Sequence, residues 1–340
     1  MKAYHKKKKK KFHSKIKEKI DEIDDDLEPT NIFIILIKII IFIIISFISF
    51  SVSKSKVIKN NKSKKSKIKV AMCAIGKREN RYLKYFAEFY KNLGYDHLYL
   101  YDNNDDGDES MDDLQIIKDG IKEGFISIIK FNTGQSSFQV NSYYDCYEKH
   151  NLEYDWISFF DIDEYLMLNQ RDITIQEFLD NPRFDNCESV QFNWRVFTDN
   201  EKLYYEDKPL IERFTTETNN TNQNRYIKSI IRGGLDYNNT IKRNGGTHSL
   251  YNHVKACTSS GKETDCKFYT WPPDFEYGAL NHYATKTISE FYDKRNKTRD
   301  NILRMSRSSK KYNFNYFFSI NKKTKEKVEI FNKLFNTNFQ

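Results

Sequence analysis

Thirteen residues near the middle of the chain, from Trp156 through Phe160 and Asp161-Ile162-Asp163-Glu164 to Leu168, do most to restrict its fold. Trp156–Phe160 is mostly apolar and reads as a buried strand, and the run stops at Asp161, Asp163 and Glu164. A strand ending in acids sets carboxylates at the carboxyl edge of a sheet, where open α/β sheets bind ligands. In extended backbone Asp161 and Asp163, two residues apart, point the same way. The pattern therefore predicts that both face one hard cation. Oxygen ligands of this kind suit Mn2+ or Mg2+ held by one or two carboxylates plus substrate phosphates. The plain alternative is a strand followed by a polar turn, which a bare Asp-x-Asp describes equally well.

The preceding sequence alternates two periodicities. Residues 68–75 read as a strand, followed by Gly76-Lys77-Arg78-Glu79-Asn80. Tyr82, Phe86, Phe89 and Leu93 then recur at helical spacing until Gly94. His97–Tyr101 is the next strand, Ser110 and Asp113 form a capping-box pattern for a helix to Lys118, and Phe125–Phe131 is a third strand. A helix over 136–149 leads back to Trp156. Such alternation predicts βαβ units and a mainly parallel α/β sheet flanked by helices. Beyond Leu168 the signals are a short helix at Ile175–Leu179, strands at Ser189–Trp194 and Ile227–Ile231, a helix starting in Pro209–Thr215, and helices at Ile288–Asn296 and 323–335. One motif misleads. Asp102-x-Asn104-x-Asp106-Gly107 with Asp113 nearly spells a calcium-binding EF-hand loop, but a strand and not a helix enters it, and its twelfth place holds Asp instead of Glu.

The net charge of +9 comes from lysines crowded at Lys6–Lys11 and Lys54–Lys69, on either side of an apolar run. Neither lysine run is interleaved with aromatics, so the charge reads as membrane flanks and not as nucleic-acid binding. Ile32–Phe50 is nineteen residues of almost pure Ile, Phe and Leu broken by Lys38. At ~1.5 Å rise per residue such a run spans the hydrocarbon core, and no signal-peptidase pattern follows it. The organisation predicted is a basic tail at 1–31, a transmembrane anchor at 32–52, a linker at 53–67, an α/β domain at 68–305 and a C-terminal extension at 306–340, to which no function is assigned. Charge alone does not orient the anchor, because both flanks are basic. Asn61, Asn219, Asn238 and Asn296 each begin an Asn-x-Ser/Thr sequon, which fits a lumenal domain. Among the five cysteines no Cys-x-x-Cys pair marks a zinc site. Cys257 and Cys266 bracket a polar loop and are expected to bridge locally, whereas Cys73 and Cys146, in apolar elements, are expected to be free core thiols.

With these residues in place, the chain resembles glycosyltransferase family 92 and its GT-A relatives, once called domain of unknown function 23, over residues 68 to 300. The likeness is carried by Cys73-Ala74-Ile75 with Lys77-Arg78-Glu79-Asn80, by Leu98-Tyr99-Leu100-Tyr101-Asp102, and by Tyr144-Asp145-Cys146. It continues through Asp161-Ile162-Asp163-Glu164-Tyr165-Leu166, Asn193-Trp194-Arg195-Val196-Phe197, Ile211-Glu212-Arg213-Phe214, and His282-Tyr283 with Lys286. It departs at Thr198-Asp199-Asn200-Glu201, where the family often has Gly-Ser, and across 216–247. The resemblance implies a type II membrane protein of the Golgi or another secretory compartment with a lumenal catalytic domain. It also implies a UDP-sugar donor, UDP-galactose first, transfer to a glycan or glycoconjugate acceptor, and inversion at the anomeric carbon.

The chemistry, together with what the resemblance implies for a further histidine ligand, then assigns roles. A divalent cation bridging the diphosphate neutralises the leaving group, with Asp161 and Asp163 as ligands and His282 as the further one, His248 being its rival. Asp102 at a strand end suits the uracil or ribose. Arg78 and Glu79 open a helix beside the nucleotide, and Asp145 reaches it from its own helix. Inversion needs a carboxylate base on the acceptor side, for which Glu212 is first and Asp199 second. Trp194 is placed to stack on a sugar face, or else belongs to the core. Two rival classes are a phosphohydrolase using the first Asp of Asp-x-Asp as nucleophile, and a membrane-anchored, non-catalytic sugar-binding module. The phosphohydrolase wants Ser or Thr soon after the pair, where Glu164-Tyr165-Leu166 stands.

Overall fold

The computed structural model describes residues 67–131, 137–235, 245–265, 268–299 and 313–340. The expected anchor at 32–52, its flanks, and the sequons at Asn61 and Asn238 lie outside them. Among the described residues no helix is long and apolar enough to cross a membrane.

Val70–Gly76 forms β1, a continuous apolar strand covered on both faces. Its alternation sends Val70, Met72 and Ala74 into one cluster and Ala71 and Cys73 into another. Helix α1 (Asn80–Asn92) covers the first face with Tyr82, Leu83, Phe86, Ala87 and Tyr90. Burying Leu83 or Phe86 contributes roughly 1.5–3 kcal/mol each. After β2 (His97–Asp102), α2 (Gln115–Lys122) and β3 (Ile126–Lys130), helix α3 (Phe138–His150) covers the second face with Tyr143, Tyr144, Cys146 and Tyr147. The capping box predicted at Ser110 and Asp113 is present, at the head of a 3-10 turn that precedes α2. Strand β4 (Trp156–Phe159) completes a parallel block ordered β3-β2-β1-β4.

Beyond β4 the sheet becomes mixed. The chain continues through β5 (Glu164–Leu168), α4 (Ile175–Leu179), β6 (Ser189–Val196), α5 (Leu210–Arg213), β7 (Ile227–Arg232), β8 (Ala256–Thr258), β9 (Glu263–Thr264) and β10 (Gly278–His282). The sheet extends from β4 to β7, β6, β10 and β5, with β8 and β9 attached to β6. Strand β7 is antiparallel to both β4 and β6, and β5 is antiparallel to β10. The ends of β1, β2, β4, β6 and β10 and the beginnings of β5 and β7 therefore meet at one sheet edge. Helix α6 (Ile288–Arg299) follows, and α7 (Phe314–Ile320) and α8 (Lys325–Phe335) pack on it through Ile288, Phe291, Phe317 and Phe331. The helix expected in Pro209–Thr215 is only the four residues of α5.

Both cysteine expectations are corrected. Cys73 on β1 is bonded to Cys146 on α3, and Cys187 is bonded to Cys257. Burial suggested free thiols at 73 and 146, but the alternation of β1 points Cys73 at the helix whose buried side carries Cys146. Cys257 lies on β8, which pairs in parallel with the start of β6 just after Cys187, so it pairs with Cys187; Cys266 lies outside the described residues. The bridges close loops of 73 and 70 residues, each stabilising by about 4 kcal/mol in the chain-entropy account.

Candidate active site

Asp161 and Asp163 are not consecutive residues of a strand. After Phe160 the chain turns: the Glu164 N–H donates to the Asp161 carbonyl (2.9 Å), and the Asp161 N–H donates to the Glu164 carboxylate (2.9 Å). Ile162 plugs this turn into the core. Gly76 at the end of β1 allows it to approach, since a Cβ there would lie 2.5 Å from Ile162. The turn reverses the chain into β5, which pairs with β10 in a register that sets His282 opposite Glu164. The Tyr283 N–H donates to the Asp163 carbonyl (3.0 Å). The three predicted ligands thus come together through tertiary pairing, with His282 Nε2 3.8 Å from Asp163 Oδ1.

Each aspartate is held by its own set of donors. Gln139 and Tyr143, one helical turn apart on α3, both donate to Asp161 Oδ1, Tyr143 at 2.9 Å. Lys228, buried near the start of β7, reaches the same oxygen at 2.6 Å and lies 3.6 Å from Glu164. Lys286 (3.1 Å) and Lys294 on α6 (2.5 Å) meet Asp163 Oδ2. Burial alone would raise both aspartates, but Lys228 holds Asp161 below the usual carboxylate range and Lys286 and Lys294 hold Asp163 well below it. Glu164 goes the other way. Burial and the neighbouring Asp161 charge push it well above the usual range, against the pull of Lys228. Three lysines, Lys228, Lys286 and Lys294, thus face this acidic turn.

Sequence reasoning missed Lys228, Lys294, Gln139 and Tyr143. A lysine in an apolar strand reads as solvent-facing, and no local pattern links residues from α3, β7 and α6 to the turn. Lys286 was visible only as part of the family likeness. It adopts a left-handed backbone, φ 54°, a conformation that clusters at functional sites in non-glycine residues.

On the other predicted residues the structure divides. Asp102, fully buried at the end of β2, accepts from the Asn104 N–H (3.0 Å) and side-chain amide (2.7 Å) and from Lys130. Arg78 donates its N–H to Asn104 Oδ1 (2.7 Å) and its Nε to Asp108 (3.0 Å). Asp102, Asn104, Asp108 and Lys130 line a cavity of about 310 Å3 at this edge. Glu79 stands before α1, its carbonyl accepting from Tyr82 and Leu83. Asp145 accepts from Tyr101 (2.7 Å) and Lys149 (2.9 Å), while the turn of α3 before it serves Asp161. Neither predicted base joins the aspartates in a hydrogen bond or ion pair among the described residues. Glu212 is exposed on α5. Asp199 is buried against Lys327 of α8 (2.7 Å), an ion pair that fastens the C-terminal helices. The His248 Nδ1–H donates to the Ile227 carbonyl (2.9 Å). Trp194 is 7% exposed, its ring 4.0 Å from that of His282, and so belongs to the core rather than to an open sugar face.

The donor set fits a divalent cation. The lysines meet Asp161 Oδ1 and Asp163 Oδ2; were a divalent cation bound at this edge, Asp161, Asp163 and His282 are the residues that would hold it. Among the described residues no three acids, histidines or cysteines converge into a ready-made cage. Any cation at this edge would need oxygens from elsewhere to complete its shell.

Comparison with solved structures finds distant likenesses. The crystal structure of S. aureus TarS 1-349 is 11% identical with a TM-score of 0.32, over 79% of this chain and 71% of that one. The crystal structure of S. aureus TarS is 12% identical with a TM-score of 0.31, over 79% of this chain and 43% of that one. The apo structure of the WbbM bifunctional glycosyltransferase is 12% identical with a TM-score of 0.22, over 38% and 24%. No curated protein matches the chain. The family model of glycosyltransferase family 92, in contrast, matches residues 66–329, spanning every element from β1 to α7 and all the site residues above. That match, over most of the described domain and all the site residues, makes this chain a glycosyltransferase and a member of family 92.

Proposed function

We propose that the protein transfers a hexose, galactose first, from a UDP-sugar to a glycan or glycoconjugate acceptor, with a GT-A arrangement, a divalent cation (Mn2+ or Mg2+) and inversion at the anomeric carbon. The observation that carries this is the gathering of Asp161, Asp163 and His282 with three lysines at the carboxyl edge of the sheet. The cation, when bound, supplies Lewis-acid neutralisation of the departing diphosphate. The chain's own residues do the rest. Gln139, Tyr143 and Lys228 fix the Asp161 carboxylate, so it meets the donor complex without reorganising. Lys286 and Lys294 hold Asp163 and add positive charge where the diphosphate charge develops. Asp102 lines the cavity beside β2, Arg78 adjoins it through Asn104 and Asp108, and with Glu79 and Asp145 these are the residues proposed to border the nucleotide. Of the two carboxylates proposed as base, Asp199 is occupied by Lys327, and Glu212 has no ion-pair partner among the described residues; Glu212 is the base to test.

Two further observations support a lumenal, type II setting for residues 67–340. Disulfides persist in oxidising compartments, and the Asn219 sequon is exposed. The deciding assay is UDP release from UDP-galactose by residues 60–340 with Mn2+. Wild type is expected to release UDP and to stop on chelation. Equal release by wild type and Asp163→Ala would overturn the proposal.

A further inference from the structure

Of the three lysines at the turn, Lys286 has the unusual backbone, and one of its two flanks is tied to the C-terminal helices. A left-handed conformation (φ 54°) is disfavoured for a non-glycine residue and persists only where the surroundings over-determine it. Both neighbours supply that constraint. Thr287, fully buried, forms a capping box at the start of α6: its hydroxyl (2.6 Å) and N–H (3.2 Å) donate to Glu290 Oε2, and the Glu290 N–H donates back to the hydroxyl (3.3 Å). Thr285, equally buried, accepts from the side-chain amide of Asn321 (3.1 Å). Between these two ties the Lys286 side chain passes over the Tyr82 ring (4.6 Å) and reaches Asp163 Oδ2 (3.1 Å).

Asn321 follows α7 and is buried with its bonding capacity engaged. The same amide donates to the Phe317 carbonyl (3.0 Å), and its Oδ1 accepts the Asp199 N–H (2.7 Å). One side chain thus joins the end of α7, the segment after β6 and the turn before α6. Lys327 of α8 ties the extension to Asp199 a second time (2.7 Å). The extension also backs α6 itself, where Phe291 packs against Phe317 (ring centroids 5.1 Å apart), and α6 carries Lys294, the second lysine on Asp163. Both lysines that meet Asp163 therefore stand on elements fastened to residues 313–340.

We infer that Asn321 is a positioning residue for the reaction: through Thr285 it fixes the backbone at Lys286, and with it the ammonium group that meets Asp163. The inference rests on the transferase reading above. The test uses residues 60–340 with Mn2+ and UDP-galactose, and compares Thr285→Val, which removes the hydroxyl and keeps the shape, with Thr285→Ser, which keeps the hydroxyl. Thr285→Val is expected to lower kcat for UDP release roughly tenfold, with the UDP-galactose KM moved less than about twofold, and Thr285→Ser to stay close to wild type. Added to Lys286→Ala, Thr285→Val is expected to cost nothing more, because a residue that acts through Lys286 then has nothing left to position. Asn321→Ala makes the same break from the other partner and serves where Thr285→Val fails to fold. Amide hydrogen exchange reads the turn without turnover. The Tyr283 N–H, bonded to the Asp163 carbonyl (3.0 Å), is expected to exchange faster in Thr285→Val and at the wild-type rate in Thr285→Ser. Losses that add in the double variant, a serine as impaired as the valine, or unchanged exchange at Tyr283 would overturn the assignment. A wild type that releases no UDP fails the donor reading instead, and exchange at Tyr283 then decides the positioning by itself.

Discussion

Two groups of buried charges lie side by side in this domain, and they differ in how their carboxylates are used. Glu290 on α6 meets Arg213 through both oxygens (2.9 and 2.5 Å), and the same oxygens accept from Tyr82 and Thr287. Both partners are fully buried. At the turn, by contrast, the lysines crowd one oxygen of each aspartate, and Glu164 Oε1 is buried with no hydrogen-bond partner. Arg213 Nε is likewise buried without a partner, so the contrast lies in the carboxylates alone: both oxygens of Glu290 are taken, whereas the lysines meet one oxygen of each aspartate.

Substitution is the way to break that contrast. Asp163→Asn is expected to lower transfer about 10²–10³-fold while leaving the far-UV circular dichroism of the fold in place; a fall in activity that only tracks unfolding would erase the distinction. Glu290→Gln is expected to do the reverse. It strands a buried guanidinium, a loss of about 3–5 kcal/mol, seen as a lower midpoint in urea titration. The same pair sets an acid limb. Burial would raise Glu290, but its bonds to Arg213 hold it below its ordinary value of 4.5. Its contribution is therefore whole above pH 4.5 and is lost as pH falls through the depressed folded value. Wild type should lose stability more steeply below pH 4.5 than Glu290→Gln. Removing the Cys73–Cys146 bridge by Cys146→Ser is expected to lower stability by about 2–4 kcal/mol, read from the melting temperature under non-reducing conditions. The smallest effect belongs to the surface. Lys149→Ala breaks the i,i+4 pair with Asp145 and should change stability by less than about 0.5 kcal/mol, which double-mutant denaturation would register.

The parallel half of the fold was legible because local periodicity and sheet position coincide there. Tyr82, Phe86 and Phe89 declare a helix, and β1 to β4 each form a run with a clear end. The other half was not, since β5 and β10 find each other across more than a hundred residues and neither carries a distinctive local pattern. The site split along the same line. Asp161, Asp163 and His282 could be named from their types and places, yet the extended geometry assigned to the aspartates gave way to a turn, because Glu164 closes on Asp161. Lys228 and Lys294 were invisible, since only the assembled sheet shows that a lysine at those positions is buried or half-buried against an acid. Arg213, next to Glu212 on α5, is the buried partner of Glu290, while Glu212 is exposed.

The Cys73–Cys146 bond bears on how the site is held. Cys146 sits about one helical turn from Tyr143 and about two from Gln139, the residues that hold Asp161. The bond ties β1 to α3 across 73 residues of sequence, so in the oxidised chain the helix that carries Gln139 and Tyr143 cannot leave the strand it covers, and the bonds these residues give to Asp161 are held with it.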